Sequence, residues 1–330
     1  DLIYDGNAKS ATVTSTKVTE QDKITVKYYD EDGERLSGAP TMPGTYTVSI
    51  DVAETEGYNA IAGLKSDEWK FAISPQQLDE SDITVSGLES QYLYTGSAVK
   101  PSFEVQIKGE PVASDSGRYT VSYGKNIKGE GSVTVYLNSK YGYIGSRTFT
   151  FNIDYGTADD TMYIMPAANE NGWYKEDIEI PVAEGYKISR TDNNFSNRVI
   201  ISNESDNGSV VVYLKSISTG EIYKGTINYK LDKTAPTDIK VSYNQSVFKK
   251  ILNTISFGLF YRENVSVEAK AEDALSGVDK VLYYAADSKL TFAEQNNVDW
   301  VESLTLTPNC KKIIYVKVID KAGNQIIAND

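Results

Sequence analysis

The chain has 330 residues and not one histidine. Without an imidazole there is no Ser-His-Asp or Cys-His nucleophile system, no HExxH zinc helix and no side chain that switches charge near neutral pH unperturbed. There is a single cysteine, Cys310, so neither an intrachain disulfide nor a thiolate zinc site can form. No stretch approaches the ~20 continuous apolar residues of a membrane helix. Basic residues are the minority, 33 against 46 acidic ones, for a net charge of −13. A chain so charged repels phosphate, and nucleic acid and anionic membranes are not expected partners. A charged-then-apolar leader is also missing, and the sequence reads as a piece excised from a longer, exported protein.

What is present is tyrosine, with 24 copies against nine phenylalanines. Tyrosine suits half-buried pleated surfaces, its ring packed and its hydroxyl reaching water. Strict alternation of apolar and polar residues runs through Ile24–Tyr28, Tyr46–Ile50, Trp69–Ile73, Tyr119–Tyr123, Phe149–Ile153 and Ile314–Val318. Period two over five residues marks a strand with one buried face. Turn signals separate the runs at Asp32-Gly33, Pro43-Gly44, Asp115-Ser-Gly117, Asn207-Gly208 and Ala322-Gly323-Asn324. Helical periodicity is confined to Phe248–Phe257 and a turn at Phe292–Asn296. The expected class is all-β with very little helix, a tandem array of immunoglobulin-like β-sandwich domains.

An internal repeat supports the array. Ile3-Tyr4-Asp5-Gly6-Asn7-Ala8-Lys9 matches Leu93-Tyr94-Thr95-Gly96-Ser97-Ala98-Val99-Lys100, and Trp69–Ile73 matches Phe149–Ile153. Gly44–Ile50 matches Gly117–Tyr123 by the same reading. A third unit opens near Tyr155, and Asp232-Lys-Thr-Ala-Pro236 reads as a hinge before the last. The expected domains are 1–75, 76–154, 155–234 and 235–330.

These residues resemble known families. Tyr4-Asp5-Gly6, Tyr28–Gly33, Gly44-Thr-Tyr46 and Gly57–Ala60 resemble the MBG or YDG repeats of bacterial surface proteins. Tyr94-Thr-Gly96, Lys100-Pro101, Tyr119–Tyr123 and Tyr141–Gly145 resemble a related repeat of secreted Firmicutes proteins. Asp232–Pro236, Ser276-Gly-Val278 and Asp320–Asn324 look like bacterial immunoglobulin-like modules. The resemblance implies a large Gram-positive cell-surface protein, with this chain as a monomeric, non-enzymatic stalk or adhesive segment facing host or matrix ligands. The alternative is a carbohydrate-binding or accessory module of a secreted glycan-active enzyme.

Candidate sites are few. In an up-and-down sandwich the N-terminus, B–C loop and F–G loop share one end, which would gather Asp232, Asp273, Asp320 and Asn324. Hard oxygen ligands of this kind suit Ca²⁺; otherwise Asp232 and Asp273 cap turns and Asp320 builds a hairpin bulge. Trp173, following Asn171-Gly172 in a turn, is the expected exposed aromatic, and Trp173-Tyr174 is the candidate contact for host glycans or mucin sugars, whereas Trp69 and Trp300 read as core anchors. Cys310 reads as an apolar filler, with no histidine or second thiol to activate it. Paired carboxylates of a glycosidase are allowed by composition, but the acids are scattered over turn tips and polar strand positions. A Lys-Asn isopeptide bond would fit a stalk, though no pair is singled out by sequence. No catalytic residue and no organic cofactor are expected.

Overall fold

The computed structural model describes residues 2–244, 263–308 and 310–329. The stretch Phe248–Phe257 lies outside them. The described residues are strands joined by turns, with one α-turn at Phe292–Gln295 and four short 3-10 turns. Thr291 and Glu294 close that α-turn with a reciprocal capping box. No helix of the described residues is long and apolar enough to cross a membrane.

The chain divides into two compact units, Asp1–Asp154 and Tyr155–Asp330. In the first, the strands run Leu2–Ile3, Ile61–Ser74, Gly44–Val52, Ile24–Tyr29 across one sheet, and Gln91–Leu93, Ser146–Asp154, Gly129–Leu137, Tyr119–Tyr123 across another. The two sheets have the same topology. Ile73 faces Gly44 as Ile153 faces Gly129, and Tyr28 faces Val48 as Tyr123 faces Val133. This corrects the repeat register: Gly44–Val52 takes the place of Gly129–Leu137, and Ile24–Tyr29 that of Tyr119–Tyr123. The sequence misleads here because Gly-x-Tyr-Thr-Val-Ser opens two strands that hold different places in their sheets.

A third sheet, Ile83–Ser86, Glu104–Ile107, Glu110–Val112, covers the second repeat. Ile83, Val105 and Val135 are fully buried in the core between the layers. Residues 2–75 form a single sheet, whose cluster of Tyr4, Tyr46 and Ile73 extends to Tyr143 of the next repeat.

The second unit holds two sandwiches. Gly156–Thr157, Ile222–Leu231, Ser205–Ser216 and Tyr186–Ser189 face the antiparallel pair Ile178–Pro181 and Arg198–Ile201 across a core of Ile178, Ile188, Val212 and Leu214. Thr237–Tyr243, Val265–Glu272 and Leu304–Leu306 face Val278–Ala286, Ile313–Asp320 and Gln325–Asn329 across Val267, Tyr283, Val316 and Val318. Each fully buried aliphatic here contributes about 1.5–3 kcal/mol, and the alternating patterns aim them inward. Asn207-Gly208 is not a turn: it lies inside Ser205–Ser216 at a register shift. Gly208 is required there because a Cβ would sit 2.3 Å from the Tyr229 ring.

Candidate functional site

The site lies in the second unit, where three connections converge. Asp232 follows the strand ending at Leu231, Asp273 follows the strand ending at Glu272, and Asp320 ends the strand from Ile313. One carboxylate oxygen from each lies within 4.8 Å of the others. Asp232 is wholly buried and Asp320 is 1% exposed, so two of the three acids are out of water.

Each carboxylate also closes its own turn. Asp273 Oδ1 accepts from the backbone N–H of Leu275 at 3.3 Å and of Gly277 at 2.5 Å. Asp320 Oδ1 accepts from Gly323 and Asn324 N–H at 2.7 and 2.8 Å, and Oδ2 from Asn324 Nδ2 at 2.9 Å. Asp232 differs: Oδ1 accepts locally from Thr234 N–H at 3.0 Å, but Oδ2 accepts from the buried Ser276 N–H, 44 residues away. Asn324 Nδ2 completes the clip by donating to the carbonyls of Asp232 at 2.9 Å and Thr234 at 3.3 Å. Turn capping and convergence, posed as alternatives from the sequence, are both present.

The segment 232–236 is therefore no loose hinge. Pro236 is buried, Thr234 donates its hydroxyl to Glu204 at 3.0 Å, and Lys233 pairs with Asp177 at 3.0 Å. The Ser202 hydroxyl, with Lys233, holds the Asp177 carboxyl below its ordinary range. Asp320 moves the other way: burial raises its pKa, with the Asp232 charge adding to it, against the Asn324 and Gly323 donors. No ion pair among the described residues brings a lysine or arginine to the three acids.

Trp173 and Tyr174 sit at this same joint. The expectation of an exposed Trp173 is corrected, since it is 6% exposed. Asn169 folds the Asn169–Trp173 turn by accepting the N–H of Asn171 and Trp173 at 3.0 and 2.9 Å. Its Nδ2 then donates to the carbonyls of Lys321 and Ala322 at 2.9 and 3.1 Å. The turn is thereby docked on the Asp320–Asn324 hairpin, and Lys230 lies 5.8 Å from the Trp173 ring centroid. Tyr174 donates its hydroxyl to Pro166 O at 2.6 Å, while its own carbonyl accepts the Asp232 N–H at 3.0 Å. Burial pushes the Tyr174 hydroxyl up. Sequence reasoning missed Asn169, Ser276 and Glu204; the Asn-x-Asn-Gly spacing signals a tight Asx turn, but nothing local says what the free amide reaches.

The other candidates fall elsewhere. Trp69 is 37% exposed rather than a core anchor, because it stands beside an insertion that shifts the register between Thr47/Lys70 and Ser49/Lys65. Trp300 is half-buried, edge-on to Tyr284 at 6.4 Å. Of the adjacent tyrosines, Tyr28 and Tyr283 face the core at 6% and 7% exposure. Cys310 is a free, half-buried thiol.

No protein-family model matches the chain, and no curated protein matches it. Solved structures of tandem immunoglobulin domains do. The N-terminal eight Ig domains of Down Syndrome Cell Adhesion Molecule, isoform 1.30.30, align with 92% of this chain at 11% identity and a TM-score of 0.26. This chain spans about half of that one, 49%. The full ectodomain of mouse nectin-like molecule 4 aligns over 77% of this chain and 94% of its own at 12% identity and a TM-score of 0.25. Drosophila OTK extracellular domains 3-5 align over 78% and 97%, with 10% identity and a TM-score of 0.24. At such scores the likeness carries no argument about partners or activity. The all-β tandem sandwich architecture rests on the sheets and cores themselves.

Proposed function

We propose that this chain is a non-enzymatic extracellular spacer segment with adhesive potential, whose third and fourth repeats are fixed by an acidic joint that takes Ca²⁺. The observation that carries the reading is the Asp232 carboxylate, wholly buried, bonded across 44 residues to Ser276 and adjoining the oxygens of Asp273 and Asp320. Acids scattered over the chain serve turns; these three are concentrated where two repeats meet. The residues fit a hard cation. The three oxygens lie within 4.8 Å of one another, a span that a small inward movement would close around one ion at the ~2.4 Å Ca–O distance, and the set contains no soft or nitrogen donor. Bound there, Ca²⁺ would supply charge neutralisation and stiffness. Asp232, Asp273 and Asp320 would hold it, and Asn324 would keep the hairpin in place. The resemblance of the repeats to bacterial surface modules supports a cell-surface setting.

Calcium titration of the chelator-treated full chain tests the joint. The expected result is a higher melting temperature for the second unit and slower amide exchange at Ser276 and Asn324. Unchanged melting and exchange between calcium and chelator would remove the cation from the proposal and leave a hydrogen-bonded joint.

A further inference from the structure

The two repeats of the first unit share one sheet topology but differ at one place in a strand. In the second repeat Ser132 faces Thr150, Val133 faces Phe149 and Thr134 faces Thr148 without interruption. In the first, Thr47 faces Lys70 but Ser49 faces Lys65. Ser66-Asp67-Glu68-Trp69 therefore stands opposite Val48, where the second repeat has Phe149 alone, packed into its core. An insertion of this kind bends its strand and re-aims a side chain, and bulges of this sort are common beside active sites.

The side chain re-aimed here is the Trp69 indole. By alternation it shares a strand face with Phe71 and Ile73, yet it is 37% exposed while Ile73 is buried. Trp173 has Lys230 over its ring, and Trp300 has Lys317 and Tyr284. Among the described residues the Trp69 indole has no ring, cation or hydrogen-bond partner. Beside it lies a groove of about 340 Å³, lined by the inward-facing Val48 and Phe71 and by the exposed Thr12, Thr14, Glu68 and Lys70. That volume falls at the lower end of small-ligand sites, ~300–1,000 Å³. A wider cleft of about 880 Å³ shares Val48 and Lys70 with it and adds Lys65 and Ser66, which gives room for more than one ring. The side chains of Thr12, Thr14, Glu68 and Lys70 make no hydrogen bond or ion pair among the described residues.

One exposed aromatic face amid free hydroxyl, carboxylate and ammonium groups suits a particular ligand chemistry. A pyranose ring has an apolar C–H face, which the electron-rich face of an indole attracts. Its rim of hydroxyls donates to a carboxylate and accepts from an ammonium. A polyanion gains little from a chain of net charge −13. A proline-rich segment docks in a groove lined by aromatics, and Trp69 is the one exposed ring in this groove.

We propose that the Ser66–Trp69 insertion makes the first repeat a binding site for neutral hexopyranose chains. The Trp69 indole stacks on one ring, Glu68 accepts from its hydroxyls and Lys70 donates to them, with Thr12 and Thr14 on the facing wall. Such a site rests on the proposed adhesive role and gives it a ligand class. It is separate from the acidic joint of the second unit, so a chain that binds sugar without responding to calcium, or the reverse, tells the two apart.

The test titrates the full chain with chitotriose, cellotriose and maltotriose, reading tryptophan fluorescence and the amide spectrum. At least one trisaccharide should bind saturably, shift the tryptophan emission and perturb the amides of Thr12–Thr14 and Glu68–Lys70. Trp69→Ala should weaken that binding by about tenfold or more, with Trp69→Phe between the two. The rim pair Glu68→Gln with Thr12→Val should also weaken it while leaving the urea midpoint of the first unit unchanged. Saturable binding of none of the three sugars would overturn the proposal, as would binding that Trp69→Ala leaves intact. Trp69-dependent binding of a polyproline peptide in place of sugar would overturn it too, and would make a peptide the ligand.

Discussion

The molecule joins consecutive repeats in two chemically opposite ways, one in each unit. In the first unit the joint is aromatic. Tyr4 meets Tyr143 edge-on at 5.3 Å, Gly142 passes under the Tyr4 ring, and the short parallel pair Gln76–Gln77 with Tyr143–Ile144 seals the seam. In the second unit the joint is ionic: three carboxylates, two of them buried, are clipped by Asn324 and docked against the Asn169–Trp173 turn. An apolar seam draws its stability from area and close approach, which neither salt nor proton alters much. A buried carboxylate cluster draws it from hydrogen bonds and must manage its own repulsion, so it responds to pH. The first joint is passive; the second is conditional.

Substitution at the aromatic seam should have the largest effect. Gly142 has φ +109 and its Cβ would fall 2.3 Å from Tyr4 Cε1. Gly142→Ala should therefore destabilise the first unit by about 3 kcal/mol, from left-handed strain plus overpacking. The second unit should be untouched, as amide exchange resolved by unit will report. A loss shared by both units would break the comparison.

At the ionic joint, Asp320→Ala strands the Asn324 N–H, leaves the Gly323 N–H only the Asp320 carbonyl at 3.1 Å, and should cost the second unit about 2 kcal/mol. Asn324→Ala keeps the hairpin and removes the clip to Asp232 and Thr234, for about 1–2 kcal/mol. Denaturant midpoints of the second unit check both, with the first unit as internal reference.

The pH dependence has opposite signs at two acids of the ionic joint. The Asp320 carboxyl lies above its ordinary 3.8 in the folded chain. A folded pKa raised above the unfolded one favours folding fully below 3.8, and that contribution is lost as pH rises through the folded value. In chelator the second unit should therefore lose this component of stability as pH climbs above 3.8, and Asp320→Asn should abolish that loss. Parallel pH profiles for the two proteins would contradict it.

The smallest effect belongs to Asp177, an exposed acid paired with Lys233. Its folded pKa is lowered, so its contribution is present above the ordinary carboxylate value and fades as pH falls through the folded one. Water screens the pair, and Asp177→Asn should leave the melting temperature at neutral pH unchanged within error. A clear drop would show that the Lys233 arm, as well as the carboxylates, fixes the joint.

Much of this was legible in the chain. Alternation at Tyr119–Tyr123 or Ile313–Asp320 specifies which side chains face inward, because a strand's period is a local property. Asp232, Asp273 and Asp320 could be gathered by counting strands, because up-and-down topology returns alternate loops to one end. Trp173 could not be placed. Its Asn-Gly turn reads as solvent-exposed, and its burial depends on a hairpin 150 residues further on, against which Asn169 and Asn171 dock.

The sequence by itself determined the all-β class, the alternation of each strand and the location of the acids in turns, all of which follow from spacing along one backbone. The tertiary structure decided which strand of one repeat answers which of the other, that Asp232–Pro236 is packed and not loose, and that Trp69 borders an open groove while Trp173 is closed in. Those outcomes depend on what lies across the layer from each residue. A one-dimensional pattern records which face a side chain turns to and says nothing of what stands opposite it.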